Sequence, residues 1–162
     1  MNDKKPIKRS KVLAEFSREH HFGLLLVWKI RQGLKAGIVP ERMAKYIAYF
    51  FEKELMCHFA DEEKFLFVFL DKNSPLRIRA ESDHAEINQL IEQIRLSNMN
   101  IKVIEQFANK LEEHIRFEER ELFIHIQNSL SDLQLKNLAG QLIKKNIYVE
   151  NGWPDEFWAT KK

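Results

Sequence analysis

The sequence predicts an all-α domain: an antiparallel up-down four-helix bundle with a short C-terminal fifth helix. Four long stretches repeat apolar residues at three- and four-residue spacing, the period of one helix face. Only five Gly and four Pro occur in 162 residues, too few for the turns of an all-β fold. The breaks between the stretches are short, which favours antiparallel neighbours.

The first helix is expected from about Ser10 to Ala36, with Leu13, Phe16, Leu24, Val27, Ile30 and Leu34 at helical spacing. Gly37 closes it, and Pro40 opens the second at or near its first turn. That helix carries Met43, Ile47, Phe50, Phe51, Leu55, Phe65, Leu66 and Phe69 on one broad face, and the run Asp71 to Pro75 ends it. The third spans about Leu76 to Leu96, with Ile87, Leu90, Ile91 and Ile94. Ser97 to Asn100 breaks the chain, and the fourth covers about Ile101 to Asn128. Ser131 and Asp132 form an N-cap signal for the fifth helix, expected to end near Asn146. Residues 1–9 are expected to be a flexible N-terminus, 10–146 the domain and 147–162 a tail. The tail aromatics Trp153, Phe157 and Trp158 suit either packing back on the bundle or a partner contact.

A hydrophobic fraction of 44% with 31% charged residues indicates a folded globular chain. The net charge of +2 is too small to attract nucleic acid or an anionic membrane, so neither is expected as a partner. The single Cys57 excludes an intramolecular disulfide framework and is expected as a buried packing residue. The longest apolar run, Phe22 to Trp28, is too short to span a bilayer, and a cytoplasmic location is expected.

Two segments carry the chemistry. His58 to Phe67 and His114 to Phe123 both read H-x-x-x-E-E-x-x-L-F. Residues four apart on a helix share a face, so His58 with Glu62, and His114 with Glu118, can each offer an imidazole and a carboxylate to one point. The surrounding apolar residues make a lone carboxylate there costly. Without metal the two glutamates would have to be protonated, be hydrated by buried water, or push the bundle apart. The other two helices each bring a histidine. Aligning Glu19-His20 with Asp83-His84 superposes the acidic residue and the apolar positions six, seven and ten residues on, which favours His20 over His21. The candidate metal ligands are therefore His20, His58, Glu62, His84, His114 and Glu118. Imidazole with carboxylate suits iron, with zinc or manganese as other options. Two ions per chain would each take two histidines, with the glutamates bridging. Glu63, Glu119 and Glu121 are expected as solvated charges, Glu63 or Glu119 also being placed to support a ligand or to serve as an alternative one. His21 is expected at the surface or as a residue supporting a ligand. His125, two turns beyond Glu118, is expected away from the metal, in core or surface.

On these residues the chain resembles the hemerythrin-like, HHE cation-binding domains. Their pattern is a histidine on helix one, H-x-x-x-E on helix two, a histidine on helix three and H-x-x-x-E on helix four. The resemblance covers about Ser10 to Asn128. It implies a di-iron centre and roles in oxygen or nitric oxide handling, iron storage or sensing, or repair of iron centres. Oxygen-carrying members have a further histidine where this chain has Ala80, and an Asp where it has Glu119. The set of four histidines and two glutamates is closer to the repair branch. The expected function is a non-haem di-iron protein that binds or senses a small ligand such as oxygen or nitric oxide, or handles iron. The alternative is a di-iron enzyme: a peroxidase, an oxidase, a nitric oxide reductase or a repair protein. Steady-state turnover of peroxide or nitric oxide separates the two.

Overall fold

The computed structural model describes residues 9–97, 99–142 and 153–159. Helix α1 spans Lys11–Lys35. Ser10 caps it by accepting from the Leu13 N–H at 3.4 Å, which satisfies a donor that has no partner inside the helix. It stops where Gly37 enters the left-handed region at φ 68°. There the N–H groups of Gly37 and Ile38 turn back to the carbonyls of Leu34 and Gly33. Helix α2, Pro40–Phe50, starts on proline, whose fixed φ and missing N–H suit a first turn. It continues through a π turn, Phe51–Leu55, into α3, Met56–Asp61, then a second π turn, Glu62–Leu66, and a 3-10 turn, Phe67–Phe69. Helix α4 is Pro75–Leu96. Helix α5, Ile101–Phe117, is capped by the Asn100 side chain and passes through a π turn, Glu118–Leu122, into α6, Phe123–Ser129. Helix α7, Asp132–Gln141, opens with a capping box between Ser131 and Gln134. No strand occurs among the described residues. The fifth helix thus ends at Gln141; residues 143–152, where its expected end falls, lie outside the described residues.

The π turns correct the expected register. A regular helix would carry the face of Glu62 on to Phe65, Leu66 and Phe69. A π turn holds one extra residue, so the inward positions become Leu66, Phe67 and Leu70, all buried, while Phe69 is 38% exposed. The same slip after Glu118 turns Phe123 and Ile126 inward and leaves His125 exposed.

Helix α1 packs against α2, α5 and α7, and α4 packs against α2 and α5. Two apolar clusters result. One holds Leu26, Ile30, Ile47, Phe59, Ile91, Phe107 and Ile115; the other holds Leu13, Phe16, Leu66, Ala80, Leu122 and Phe123. On every contributing helix the change from one cluster to the other falls at the candidate ligands. His20 follows Phe16 and precedes Leu26, His58 and Glu62 precede Leu66, His84 lies between Ala80 and Ile87, and Glu118 follows Ile115. A polar layer therefore separates two apolar cores.

The tail packs back on the bundle. Phe157 is buried, Trp153 and Trp158 flank Tyr46 at 5.4 and 4.9 Å, and Asp155 accepts two hydrogen bonds from Arg42 at 2.8 and 2.6 Å. Gly33 makes room for it: a Cβ there would lie 3.0 Å from the Phe157 ring and 2.7 Å from the Met43 sulfur. Lys29, buried under this cap, donates to the Tyr46 hydroxyl at 2.9 Å and faces the Trp158 ring at 4.1 Å. Burial lowers its pKa to about 8, with Glu156 opposing. Among the described residues no helix is long and apolar enough to cross a membrane.

Candidate metal centre

All six predicted residues are buried and converge. They form two nests that share both glutamates: His20, His58, Glu62 and Glu118 in one, and Glu62, His84, His114 and Glu118 in the other. Within each nest one donor atom from every residue lies within 4.8 Å of the rest. Glu62 turns Oε1 to His58 Nε2 at 2.6 Å and to His20 Nε2 at 3.4 Å, and Oε2 to His84 Nε2 at 3.0 Å. Glu118 mirrors it, with Oε1 2.5 Å from His114 Nε2 and Oε2 3.3 Å from His20 Nε2. Each carboxylate therefore presents at least one oxygen to each nest.

Local helix geometry explains the convergence. His58 with Glu62, and His114 with Glu118, stand one turn apart on one face. Both glutamates begin a π turn, which shifts the following residues by one position and brings Phe67 and Phe123 into the core below the carboxylates. Aromatic rings fix the imidazole planes. Phe59 stacks on His84 at 4.0 Å and Phe123 stacks on His20 at 5.1 Å.

Each histidine Nδ1 meets a carboxylate from the next helix round. Glu19 on α1 holds His58, and Glu63, just after α3, holds His84 at 2.9 Å. Asp83 on α4 holds His114 at 3.0 Å, and Glu119, just after α5, holds His20 at 2.7 Å. With Nδ1–H donating outward to a carboxylate, Nε2 is the nitrogen each imidazole has left to offer a metal once its own proton is displaced. Glu63 and Glu119 are thus partners of the histidines and not simply solvated charges, although Glu63 remains half-exposed. Their signal was the acidic residue directly beside each candidate ligand. Glu121 and His21 are exposed, as expected. Cys57 is exposed rather than buried, because the inward positions around it belong to Leu55, His58 and Phe59.

Burial alone would push the imidazoles down in pKa and the carboxylates up. Their mutual attraction outweighs burial. Glu118, Glu119 and Glu62 hold His20 well above its usual value; Glu62 and Glu19 raise His58 to about 8. His84 is raised to about 11 by Glu118, Glu62 and Glu63, and His114 is raised by Glu118 and Asp83. Glu62 is lowered to about 2 by His58 and His20, against burial and the charge of Glu118. Glu118 is held well below the carboxylate range by His114, His20 and His84. Protons on the imidazoles therefore keep both glutamates ionised without metal, a route beyond the three expected from sequence.

The donor set fits a cation. Both oxygens of Glu62, both of Glu118, and Nε2 of His20 and His58 are buried with no well-aligned hydrogen-bond partner, close as they lie to one another. Buried polar atoms are almost always paired, so their common orientation calls for a positive charge at their centre.

The family model for the hemerythrin HHE cation binding domain matches residues 13–126. The chain belongs to this family. No curated protein and no solved structure matched it. The match contains all six residues of the hemerythrin-like centre and their four outer carboxylates.

Proposed function

We propose that this hemerythrin-like chain is a non-haem di-iron protein that binds or senses a small diatomic ligand, oxygen or nitric oxide, in the cytoplasm. In this reading its four main helices form an antiparallel up-down bundle. His20 and His58 hold one ion, His84 and His114 the other, and Glu62 and Glu118 serve both. The observation that carries the reading is the sharing of the two glutamates between two histidine pairs. Histidine with carboxylate and no thiolate suits iron.

Bound iron would supply positions for a small ligand and a change of oxidation state. The chain's own residues do the rest. The outer carboxylates orient the imidazoles and fix the Nε2 lone pairs inward. The apolar clusters on either side exclude bulk water from the polar layer. Glu62 and Glu118 bring negative charge to a site where a cation would otherwise meet only neutral rings.

Metal content per chain, measured with the optical spectrum under anaerobic and aerobic conditions, tests the reading. The expected result is two irons per chain and a spectrum that changes when oxygen or nitric oxide is admitted. Iron content near zero after ferrous loading, or a spectrum indifferent to both gases, would contradict it.

A further inference from the structure

Two cations stand behind the outer carboxylates, one for each nest. A single guanidinium nitrogen of Arg9 reaches both the carbonyl and the carboxylate of Glu119 at 3.0 Å. The same guanidinium lies 5.8 Å from the centre of the Phe123 ring, which stacks on His20. Arg9 thus touches both groups that fix His20. On the other side, Lys110 Nζ lies 2.9 Å from Asp83 Oδ1, while Asp83 Oδ2 accepts from His114 Nδ1. Glu86 at 3.0 Å and Glu113 at 3.9 Å complete the surroundings of Lys110. Both cations are mostly covered, with side chains 24% and 17% exposed, so water screens them less than it screens a surface pair.

We propose that Arg9 and Lys110 are positioning residues that set the charge behind His20 and His114, and through it the redox balance of the metal centre. The inference rests on the di-iron reading above. A carboxylate that shares its charge with a cation pulls less on an imidazole N–H. The imidazole then donates less electron density through Nε2, and the more oxidised ion is held less tightly. Arg9 acts on the nest of His20, Lys110 on that of His114. Each also fixes its carboxylate in space.

The test uses the full chain loaded anaerobically with ferrous iron, with two readouts: the midpoint potential and the rate of iron loss to a chelator. Arg9→Gln and Lys110→Gln should each lower the potential, by an amount equivalent to about a tenfold stronger preference for the oxidised ion, the order expected of one charge removed nearby at an effective dielectric of ~20. The stronger donation and the lost positive charge should also slow iron loss. Arg9→Lys and Lys110→Arg keep the charge and should restore the potential, which separates charge from packing. In a Glu119→Gln background, Arg9→Gln should shift the potential by less than it does in the wild type, and in Asp83→Asn so should Lys110→Gln, because the part relayed through the carboxylate is gone. A loaded wild type whose potential and iron loss match those of both Gln variants overturns the inference and leaves the di-iron reading standing. Shifts of undiminished size in the Glu119→Gln and Asp83→Asn backgrounds also overturn it. A wild type that takes up no iron overturns both.

Discussion

His84 and His114 face each other Nε2 to Nε2 at 3.1 Å, and the Nδ1 of each is already held by a carboxylate, Glu63 and Asp83. With both Nδ1–H groups donating outward, the facing nitrogens would each present a lone pair. A cation between or on them, a proton or a metal, removes that repulsion. The site is therefore built to be positive at its centre whether or not metal is bound.

The outer carboxylates should matter in proportion to their burial. Asp83 is buried, whereas the side chain of Glu63 is 52% exposed and can be replaced in part by water. Asp83→Asn should weaken metal binding by about 10–100-fold, the usual cost of losing such a partner, and Glu63→Gln by less. Chelator competition on the two variants measures the order. Equal losses would show that burial does not set the effect.

His20, not His21, should be needed for metal. His20 points into the nest with only 3% exposure, while His21 lies on the exposed face of α1. His20→Ala is expected to lose metal and His21→Ala to keep it. Metal analysis of both variants decides, and the reverse pattern would overturn the assignment.

The metal-free protein should lose stability as pH rises through the neutral range. The pKa of His58 is raised from 6.5 to about 8, so its contribution is full below pH 6.5 and is lost as pH climbs through about 8. His84, raised to about 11, keeps its contribution over that range. Metal must displace the same protons, so loading should tighten over the same interval. Thermal melts from about pH 6 to about pH 9, with and without chelator, should show the loaded form pulling ahead as pH rises. A gap that narrows with rising pH would contradict this account.

The tail should contribute to stability without touching the metal. Phe157 is 3% exposed against Gly33 and Tyr46. Phe157→Ala should cost about 3 kcal/mol, the order expected for truncating a buried phenylalanine. Chemical denaturation measures it, and metal content should stay at the wild-type level.

Helix number, helix order and the six converging residues were legible because each leaves a local trace. Apolar spacing marks a face, Ser10, Ser131 and Pro40 mark helix starts, and H-x-x-x-E marks two ligands on one turn. The register after each glutamate was not legible. A π turn has no composition of its own, so Phe69 was placed inward when Leu70 takes that position. The ring of Nδ1 partners was half legible. Acidic neighbours of the histidines are visible in the sequence, but Glu19 serves His58 and not its neighbour His20, and only packing between helices decides that. Lys29, a buried cation under an aromatic tail, gave no signal, since its partners Tyr46 and Trp158 are distant in sequence.

The central claim is that Glu62 and Glu118 each serve two ions. Iron per chain, counted in the wild type and in Glu62→Gln and Glu118→Gln after identical ferrous loading, tests it most directly. Gln keeps the shape and removes the charge, so the fold should survive, as circular dichroism would verify. The account predicts about two irons in the wild type and loss of both ions together in each variant, because neither nest is complete without both carboxylates. Wild-type iron content in both variants, or loss of a single ion from each, would contradict it.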